Sequence, residues 1–555
     1  MFTFKQAAHT VQFRHSAIFE RAHIRNVPKR ALLVTAFAAI LLFTGVHGLT
    51  CQTLPAHDGV MNVQGIDVQK QDGDATAGNR AGSIAAIALH DTAGFAHGTL
   101  PPVHAAQDEV PATGDVPVTG APANDSAHVP EAPASEPFAW GDFTWLNGND
   151  RRHTALLDSK YFTGTFLLDA NYTASNHHPV DHTVVGSTAL ARDNEFEVSV
   201  AALGGDFHYD NVRARVLLQL GTRATVVPRN DFSVLHGQFD LANAYRYFSE
   251  ANAGYHFDVW HGINVDVGLF MSYVGLFSYY NAENWAYQPS FTSDNTPWFF
   301  NGMRIQMFPS DRFKVELWLT NGWQSYAKFN NGLGVGCQLL WRPEEWLSFL
   351  SNNYYGTDAQ DQPGRIRVHS DNSAEIRYMN NPGAFIHRGA CSITQDVGFE
   401  NGGGVGGFSG ADGPMQYFLS GMFYNRLWMA NDHIGWTFGG GYINNPGRYL
   451  VLYPTGDASP IPAINTGVTG THPFSANPGD PFHGWDVSTT LDWMPNENIT
   501  WRVEVVHRET DVPYFAGPGG VTSPDGFNTT PIPAGWHPDL TTAETRFIGA
   551  LLVRF

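Results

Sequence analysis

The sequence predicts an all-β fold: a transmembrane, antiparallel, up-and-down β-barrel of about sixteen strands that follows a disordered N-terminal linker. Three observations predict it. Apolar and polar residues alternate with a period of two in many short segments, short and long connections alternate between these segments, and tryptophans collect beside the short connections. The predicted organisation is a signal peptide over residues 1–48, a linker over residues 49–137 and the barrel over residues 138–555.

The N-terminus has the charge pattern of a secretory signal. Residues 1–30 are strongly basic, with Glu20 as their one acid, and residues 31–46 are uncharged and mostly apolar. A basic region followed by an apolar stretch of this length is typical of a signal peptide. The basic region is unusually long, so a signal anchor and a wrongly chosen start codon remain alternatives. Cys51 follows closely, but the residues before it fit a lipoprotein signal poorly.

The predicted linker differs in composition from the rest of the chain. It is rich in Ala, Pro, Gly, Asp and His, and its bases are Lys70 and Arg80. Such a segment buries too little apolar surface to offset the entropy lost on folding. We therefore expect a disordered, acidic periplasmic linker, with a contact to peptidoglycan as the alternative.

The barrel region is predicted from regular alternation. Successive side chains of a strand point to opposite faces, so apolar residues of one parity indicate a strand with one apolar face. Val212, Val216 and Leu220 share a parity that is opposed by Arg213 and Arg215. The clearest runs lie at 162–172, 196–202, 212–220, 263–271, 313–319, 333–341, 485–493, 499–505 and 546–555, and weaker runs lie near 243–259, 297–308, 346–355, 370–379, 385–399, 415–428 and 433–443.

The connections between these runs alternate in length. The short ones, such as residues 380–383 and 495–498, are rich in the turn formers Asn, Asp, Gly and Pro. The long ones include residues 174–194, 276–297 and 444–484. Short turns on one rim and long loops on the other are typical of bacterial barrels. An even strand number then places both termini in the periplasm and the long loops outside the cell.

The C-terminal strand has one wholly apolar face, formed by Phe547, Leu551, Val553 and Phe555 together with a glycine. Its other parity mixes aliphatic residues with arginines. Outer-membrane barrels usually end in such a strand, and we expect the barrel-insertion machinery to recognise it. A half-buried strand of a soluble sandwich would show the same alternation and remains the alternative for this segment alone.

Tryptophan placement also favours a membrane. Indole rings prefer the boundary between water and hydrocarbon, and a soluble sandwich has no reason to collect them along one rim. We expect a periplasmic girdle on the short-turn rim, formed by Trp341, Trp346, Trp428, Trp436, Trp493 and Trp501.

Composition agrees with a barrel and excludes other classes. The chain has 555 residues, of which 43% are hydrophobic and 15% charged, and its mean hydropathy is -0.22. A membrane barrel can have so low a mean hydropathy, because each lipid-facing residue of a strand is followed by a lumen-facing one. Outer-membrane lipid is therefore the expected partner. No segment after the signal reaches the roughly 18 apolar residues of a transmembrane helix. The net charge of -20 argues against nucleic acid as a partner, and we predict neither a metal nor another cofactor.

Several segments of the barrel region resemble a known family. Residues 143–148, 204–211, 321–326, 443–449 and 512–515 look like the corresponding segments of outer-membrane β-barrel porins of the OmpL-like type. The resemblance covers residues 138–555. It implies a porin with no defined substrate, and it brings no catalytic residues.

The expected function follows from barrel size, because sixteen strands leave a water-filled lumen. We expect small hydrophilic solutes to diffuse through it, with a mild preference for anions since bases outnumber acids on the predicted lumen parity. Charges that pair across strands and cancel are the alternative, and a homotrimer is one alternative for assembly. The predicted pore-lining residues are Arg213, Arg215, Arg223, Asp266, Arg304, Lys314, Glu316, Arg502, Glu504, Arg508 and Arg546.

One long loop is predicted to narrow the lumen. Its aromatic residues are costly in water and would be buried if the loop folded inward, although packing among the outer loops would bury them equally. We expect no enzyme; a barrel lipase or protease, and a surface adhesin or scaffold with a plugged lumen, are the rival classes. The predicted constriction residues are Tyr279, Tyr280, Glu283, Trp285 and Tyr287.

Overall fold

The computed structural model describes residues 136–147, 155, 157–228, 231, 237–330, 332–359, 362–452, 474, 476–527, 533 and 535–555. The predicted signal peptide and nearly all of the predicted linker lie outside these residues. Within the described residues, no helix has both the length and the apolar character needed to cross a membrane.

The wall of the barrel consists of sixteen long strands. They are β1 Phe162–Ser175, β2 Glu195–Tyr209, β3 Val212–Leu220, β4 Phe248–Phe257, β5 Ile263–Met271, β6 Phe299–Ser310, β7 Phe313–Thr320, β8 Gly334–Glu344, β9 Leu347–Gly356, β10 Ile366–Asn380, β11 Ile386–Gly402, β12 Tyr417–Met429, β13 Ile434–Asn444, β14 His483–Asn496, β15 Ile499–Thr510 and β16 Ala543–Arg554.

Each strand pairs antiparallel with its neighbours in sequence, and the first strand pairs with the last, so the sheet is closed. In that closing pair Leu168 lies opposite Val553. A two-residue strand, Val405–Gly406, pairs only with the end of β11, and Phe515–Ala516 pairs with Leu540–Thr541 outside the wall. The predicted fold class, a closed antiparallel barrel of sixteen strands, is confirmed.

The helical elements are short. In the part of the chain that the structure describes, two 3₁₀ turns span Thr144–Leu146 and Asn281–Glu283, and the α-helices are α1 Arg223–Val226, α2 Leu241–Tyr245 and α3 Phe291–Asp294. Helix α2 replaces the start of a predicted strand: Asp240 accepts a hydrogen bond from the backbone N–H of Asn243 at 3.0 Å and caps the helix, so β4 begins only at Phe248.

The two faces of the wall differ as the alternation predicts. In β14, Val487 and Leu491 are 50% and 53% exposed, whereas Asp486 and Asp492 on the inner face are buried. An apolar outer face is the surface that lipid requires. The inner polar face is buried because chain segments occupy the lumen, and two hydrophobic clusters of the described residues form between these segments and the wall.

Candidate functional site

The connection between β5 and β6, residues 272–298, lies against the inner wall and is termed the inner loop. Near its start, the ring of Tyr273 stacks on Phe300 and Trp318, with centroids 5.0 and 4.8 Å away. The Tyr273 hydroxyl donates a hydrogen bond to the backbone carbonyl of Asn353 in β9 at 3.0 Å. One side chain thus spans the inner wall from β6 to β9.

The middle of the inner loop contacts strands β3 and β4. The Tyr279 hydroxyl donates to Oε1 of Gln219 in β3 at 2.7 Å, and the Tyr280 hydroxyl lies 3.0 Å from Glu250 in β4. Burial raises the pKa of Tyr279 to about 12, against the opposing effects of Arg223 and Gln219. The hydroxyl therefore stays protonated and acts as a donor at neutral pH.

The end of the inner loop is held by carboxylates of the wall. The Tyr287 hydroxyl donates to Oδ1 of Asp169 at 2.7 Å. The backbone N–H groups of Tyr287 and Gln288 donate to the Glu504 carboxylate at 2.6 and 2.9 Å. Hydrogen bonds to a charged acceptor are stronger than neutral ones, so Glu504 fixes the path of the loop.

The five predicted constriction residues all belong to the inner loop. Tyr279, Tyr280, Trp285 and Tyr287 are at most 6% exposed, and Glu283 accepts a hydrogen bond from Ser278 at 2.5 Å and pairs with Arg554. Their role in limiting flow stays a prediction.

Several of the predicted pore-lining charges are completely buried in ion pairs. The Arg502 guanidinium donates to both oxygens of Asp492, at 2.7 and 3.1 Å, and Arg426 donates to the same carboxylate at 2.7 Å. Arg508 lies 3.1 Å from Asp294 of α3. The sequence interpretation missed Arg426, although it shares the inward parity of its strand with residues 424 and 428.

One further predicted residue, Arg546, joins the last strand to the inner loop. Arg546 donates to Glu544 at 2.7 Å and to Oε1 of Gln288 at 2.8 Å. This second bond connects the last strand to the inner loop.

Most of the other predicted charges lie along β3 to β7, where the bases are partly exposed and the acids Asp266 and Glu316 are buried. Asp266 pairs with Arg304 at 2.8 Å and with Arg213 at 3.3 Å, and Lys314 pairs with Glu316 at 2.6 Å. In the pairs of Asp266 and Glu316 the base is the more exposed partner: the Arg213 side chain is 39% exposed and that of Asp266 is 1%. Arg215 lies 2.6 Å from Asp206 and 2.9 Å from Glu250, and here Asp206 is the more exposed, 48% against 22%. Water therefore meets Arg213, Arg304 and Lys314 on this part of the wall, and also the carboxylate of Asp206.

Arg223 does not lie on a strand, and its predicted place on the lumen face of one is wrong. It begins helix α1, where its guanidinium donates to Oδ1 of Asn281 at 2.9 Å and lies over the ring of Tyr279. Gly221, with φ +122°, separates it from β3. Arg223 therefore holds the inner loop and does not face open lumen.

One member of the predicted tryptophan girdle points inward. Trp428 is 1% exposed, and its ring meets that of Trp285 edge-to-face with centroids 5.7 Å apart. Proximity to a short turn misled the prediction, because Trp428 lies on the inward parity of β12. Trp346 is half-buried. Trp341, Trp436, Trp493 and Trp501 are exposed on the outer face.

Residues 136–147, termed the N-terminal strap, cross the inner wall at the short-turn end. Trp145 is fully buried, and its indole N–H donates to the backbone carbonyl of Glu345 at 2.9 Å. The Arg312 guanidinium lies 4.0 Å from the ring centroid of Trp140. Trp145 also belongs to the hydrophobic cluster that contains Trp285, so the strap and the inner loop share one core.

A carboxylate completes the attachment of the strap. Asp142 lies 3.2 Å from Arg377 in β10 and 3.9 Å from Arg388 in β11. Burial raises the pKa of Asp142, but hydrogen bonds from Thr144 and the two arginines outweigh burial and leave that pKa below its ordinary value. The carboxylate is therefore ionised and paired at neutral pH.

Two cavities adjoin these elements. A cavity of 890 Å³ opens at the short-turn end beside Phe138, Arg213, His256 and Lys314. A cavity of 220 Å³, termed the outer cavity, lies among the long loops; its lining residues include Trp323, Asp358, Arg365, Arg367, Glu400, Gln416 and Tyr449.

Comparison with known proteins assigns the chain to a protein family. The family model described as putative beta-barrel porin-2, OmpL-like, matches residues 161–555. No curated protein matches the chain.

Among solved structures, the chain is similar to OprB of Pseudomonas putida, with 12% identity, coverage of 77% of this chain and 100% of that one, and a TM-score of 0.43. It is also similar to an anion-selective porin from Comamonas acidovorans, with 10% identity, coverage of 71% and 99%, and a TM-score of 0.40. The outer-membrane channel DcaP of Acinetobacter baumannii has 7% identity, coverage of 72% and 100%, and a TM-score of 0.41.

Proposed function

Because the chain belongs to the OmpL-like beta-barrel porin-2 family of outer-membrane proteins, we propose that it is a channel for passive diffusion of small hydrophilic solutes. Family and fold point to a channel rather than to an enzyme. The observation that best supports diffusion is the partly exposed charged wall along β3 to β7, beside the 890 Å³ cavity.

The pathway is narrow at two levels. The inner loop fills the lumen beside β12 to β16, where Arg502, Arg508 and Arg546 are at most 1% exposed. The N-terminal strap covers part of the short-turn end. Solutes would therefore pass along β3 to β7, and the aromatic residues of the inner loop would set the width of the path.

A mild preference for anions is supported by the geometry of the ion pairs. Lys314 and Arg304 are 15% and 18% exposed, whereas their partners Glu316 and Asp266 are 3% and 1% exposed. Pairing reduces the net charge, but in these two pairs the positive member is the one that faces water; in the Arg215–Asp206 pair the acid is the more exposed. Electrostatic lining of this kind tunes selectivity.

The orientation follows the usual arrangement of bacterial barrels, with the short turns and both termini in the periplasm. The apolar outer face of the C-terminal strand, including Phe547 at 55% exposure, suits the barrel-insertion machinery. A homotrimer is a further expectation of this proposal, since trimers are common among sixteen-stranded porins.

A barrel plugged for use as a surface adhesin or scaffold is the second candidate, favoured by the buried inner wall beside β12 to β16. Liposome swelling separates the two. Proteoliposomes diluted into an isosmotic solution of a small sugar swell if the protein is a channel. Absence of swelling with correctly folded protein would favour the plugged scaffold.

A further inference from the structure

The side chains that line the outer cavity are of the kinds that bind a polar solute. It lies at the long-loop end of the barrel and is lined by charged, amide and aromatic side chains. Its volume of 220 Å³ is below the roughly 300 Å³ at which pockets for drug-sized ligands begin, so only a small solute fits.

Four buried polar atoms of the residues that line this cavity have no hydrogen-bond partner among the described residues. They are Oδ2 of Asp358, Nε of Arg365, Oε1 of Gln416 and the hydroxyl of Tyr449. Buried polar groups are nearly always satisfied, by protein, water or ligand. Four such atoms in the lining of one cavity therefore point to an occupant that both donates and accepts hydrogen bonds.

The neighbouring contacts fix what these atoms can do. The amide nitrogen of Gln416 donates to Glu400 at 2.5 Å, which leaves its Oε1 as a free acceptor. Oδ1 of Asp358 accepts from the backbone N–H of Trp323 at 3.2 Å and from Tyr354 at 3.0 Å. Its Oδ2 lies 3.9 Å from Nη1 of Arg367 and accepts no hydrogen bond. The occupant must therefore present at least two donors.

The guanidinium of Arg367, held in place by Glu400, adds a hydrogen-bond donor group to the cavity. Nε and Nη2 of Arg367 donate to Glu400 at 3.0 and 2.7 Å, whereas its Nη1 lies 3.9 Å from Asp358. The guanidinium lies 5.6 Å from the ring of Trp323 and 5.8 Å from that of Tyr449. Arg365 and Arg367 are offset by Glu400 and Asp358, so the site combines donors and acceptors without a clear net charge.

We propose that the outer cavity binds a small neutral polyhydroxylated solute, such as a monosaccharide, before it enters the channel. Hydroxyl groups donate and accept, so one solute satisfies Asp358, Gln416, Tyr449 and Arg367 together. Aromatic rings offer apolar surface for the C–H face of a sugar. The proposal deepens the proposed channel function by naming its solute class.

Binding is tested on the purified full chain in detergent micelles, by saturation-transfer NMR titration with glucose, so that the result does not depend on conduction. We expect saturable binding. Tyr449→Phe removes one unpaired hydroxyl and no existing hydrogen bond, and should raise the dissociation constant about 2- to 10-fold, as expected for one lost hydrogen bond. Tyr442→Phe, on the outer face of β13, is the control and should leave binding unchanged.

Other outcomes overturn the inference. Absence of saturable glucose binding, or equal binding by the wild-type and Tyr449→Phe proteins, refutes the site. Saturable binding of glycine without glucose binding refutes the solute class in favour of a zwitterion. Failure of the channel function itself would appear separately, as proteoliposomes that do not swell although glucose binds in micelles.

Discussion

The hydroxyl of Tyr287 lies 2.7 Å from Oδ1 of Asp169, and this bond joins the inner loop to the first strand across 118 positions of sequence. Both side chains are buried. Tyr287→Phe leaves Asp169 with one donor fewer and should lower the free energy of unfolding by about 1–3 kcal/mol. Thermal unfolding followed by circular dichroism in detergent measures this. Tyr355→Phe on the outer face is the control, and an equal loss there would contradict the assignment.

The inner loop should limit conductance. Deleting residues 279–287 removes the buried aromatic residues and should raise single-channel conductance while the barrel still forms. Unchanged conductance in a correctly folded variant would show that the loop does not constrict the path.

The ion pair of Arg502 with Asp492 should dominate the stability of the filled half of the lumen. Arg502→Met leaves a buried carboxylate that only Arg426 opposes, and such changes cost about 3–5 kcal/mol. Arg213→Met, at a partly exposed position, should cost less, because water screens that charge. Urea unfolding of both variants measures the two losses of unfolding free energy. Equal losses would contradict the prediction that the buried ion pair contributes more than the partly exposed one.

The exposed bases should set ion selectivity. Arg213→Gln leaves the carboxylate of Asp266 with Arg304 as its remaining partner, and should shift the reversal potential in a salt gradient toward cations. Lys160→Gln, an exposed residue before the first strand, should leave it unchanged. A shift toward anions in the Arg213 variant would contradict the proposed lining.

The N-terminal strap should detach in acid. The pKa of Asp142 is lowered in the folded protein, so its contribution is fully present above the ordinary value near 3.8 and is lost as pH falls through the lowered pKa. The protection of the backbone N–H groups of residues 138–147 against hydrogen exchange, relative to an unstructured peptide at the same pH, should therefore be constant from neutral pH to about pH 5 and fall in stronger acid. Asp142→Asn should raise exchange already at neutral pH, unlike Asp412→Asn on an exposed loop. Equal exchange in both variants would contradict the role of this carboxylate.

The wall was predictable because a strand exposes alternate residues to lipid and to the interior. This gives the sequence a period of two between apolar and polar residues. The prediction failed where parity was extended past the end of an element, as at Arg223, and where nearness to a turn was taken for direction, as at Trp428. Each of these positions lies inside, against the inner loop.

The contents of the lumen were harder to predict, because their contacts join distant parts of the chain. The density of aromatic residues singled out the inner loop, but residues 136–147 show no alternation, and their local contacts, such as that of Thr144 with Asp142, do not say where the segment lies. Trp145 meets Glu345 across 200 positions, and Asp142 meets Arg377 across 235. Such contacts follow only from the closed barrel, which brings the segment before β1 beneath β6 to β11.

Single-channel recording in planar bilayers tests the central claim most directly. The purified protein should insert and give discrete, ohmic current steps, with a reversal potential that favours anions modestly. Bilayers that contain correctly folded protein but stay electrically silent would contradict the assignment of an open solute pathway.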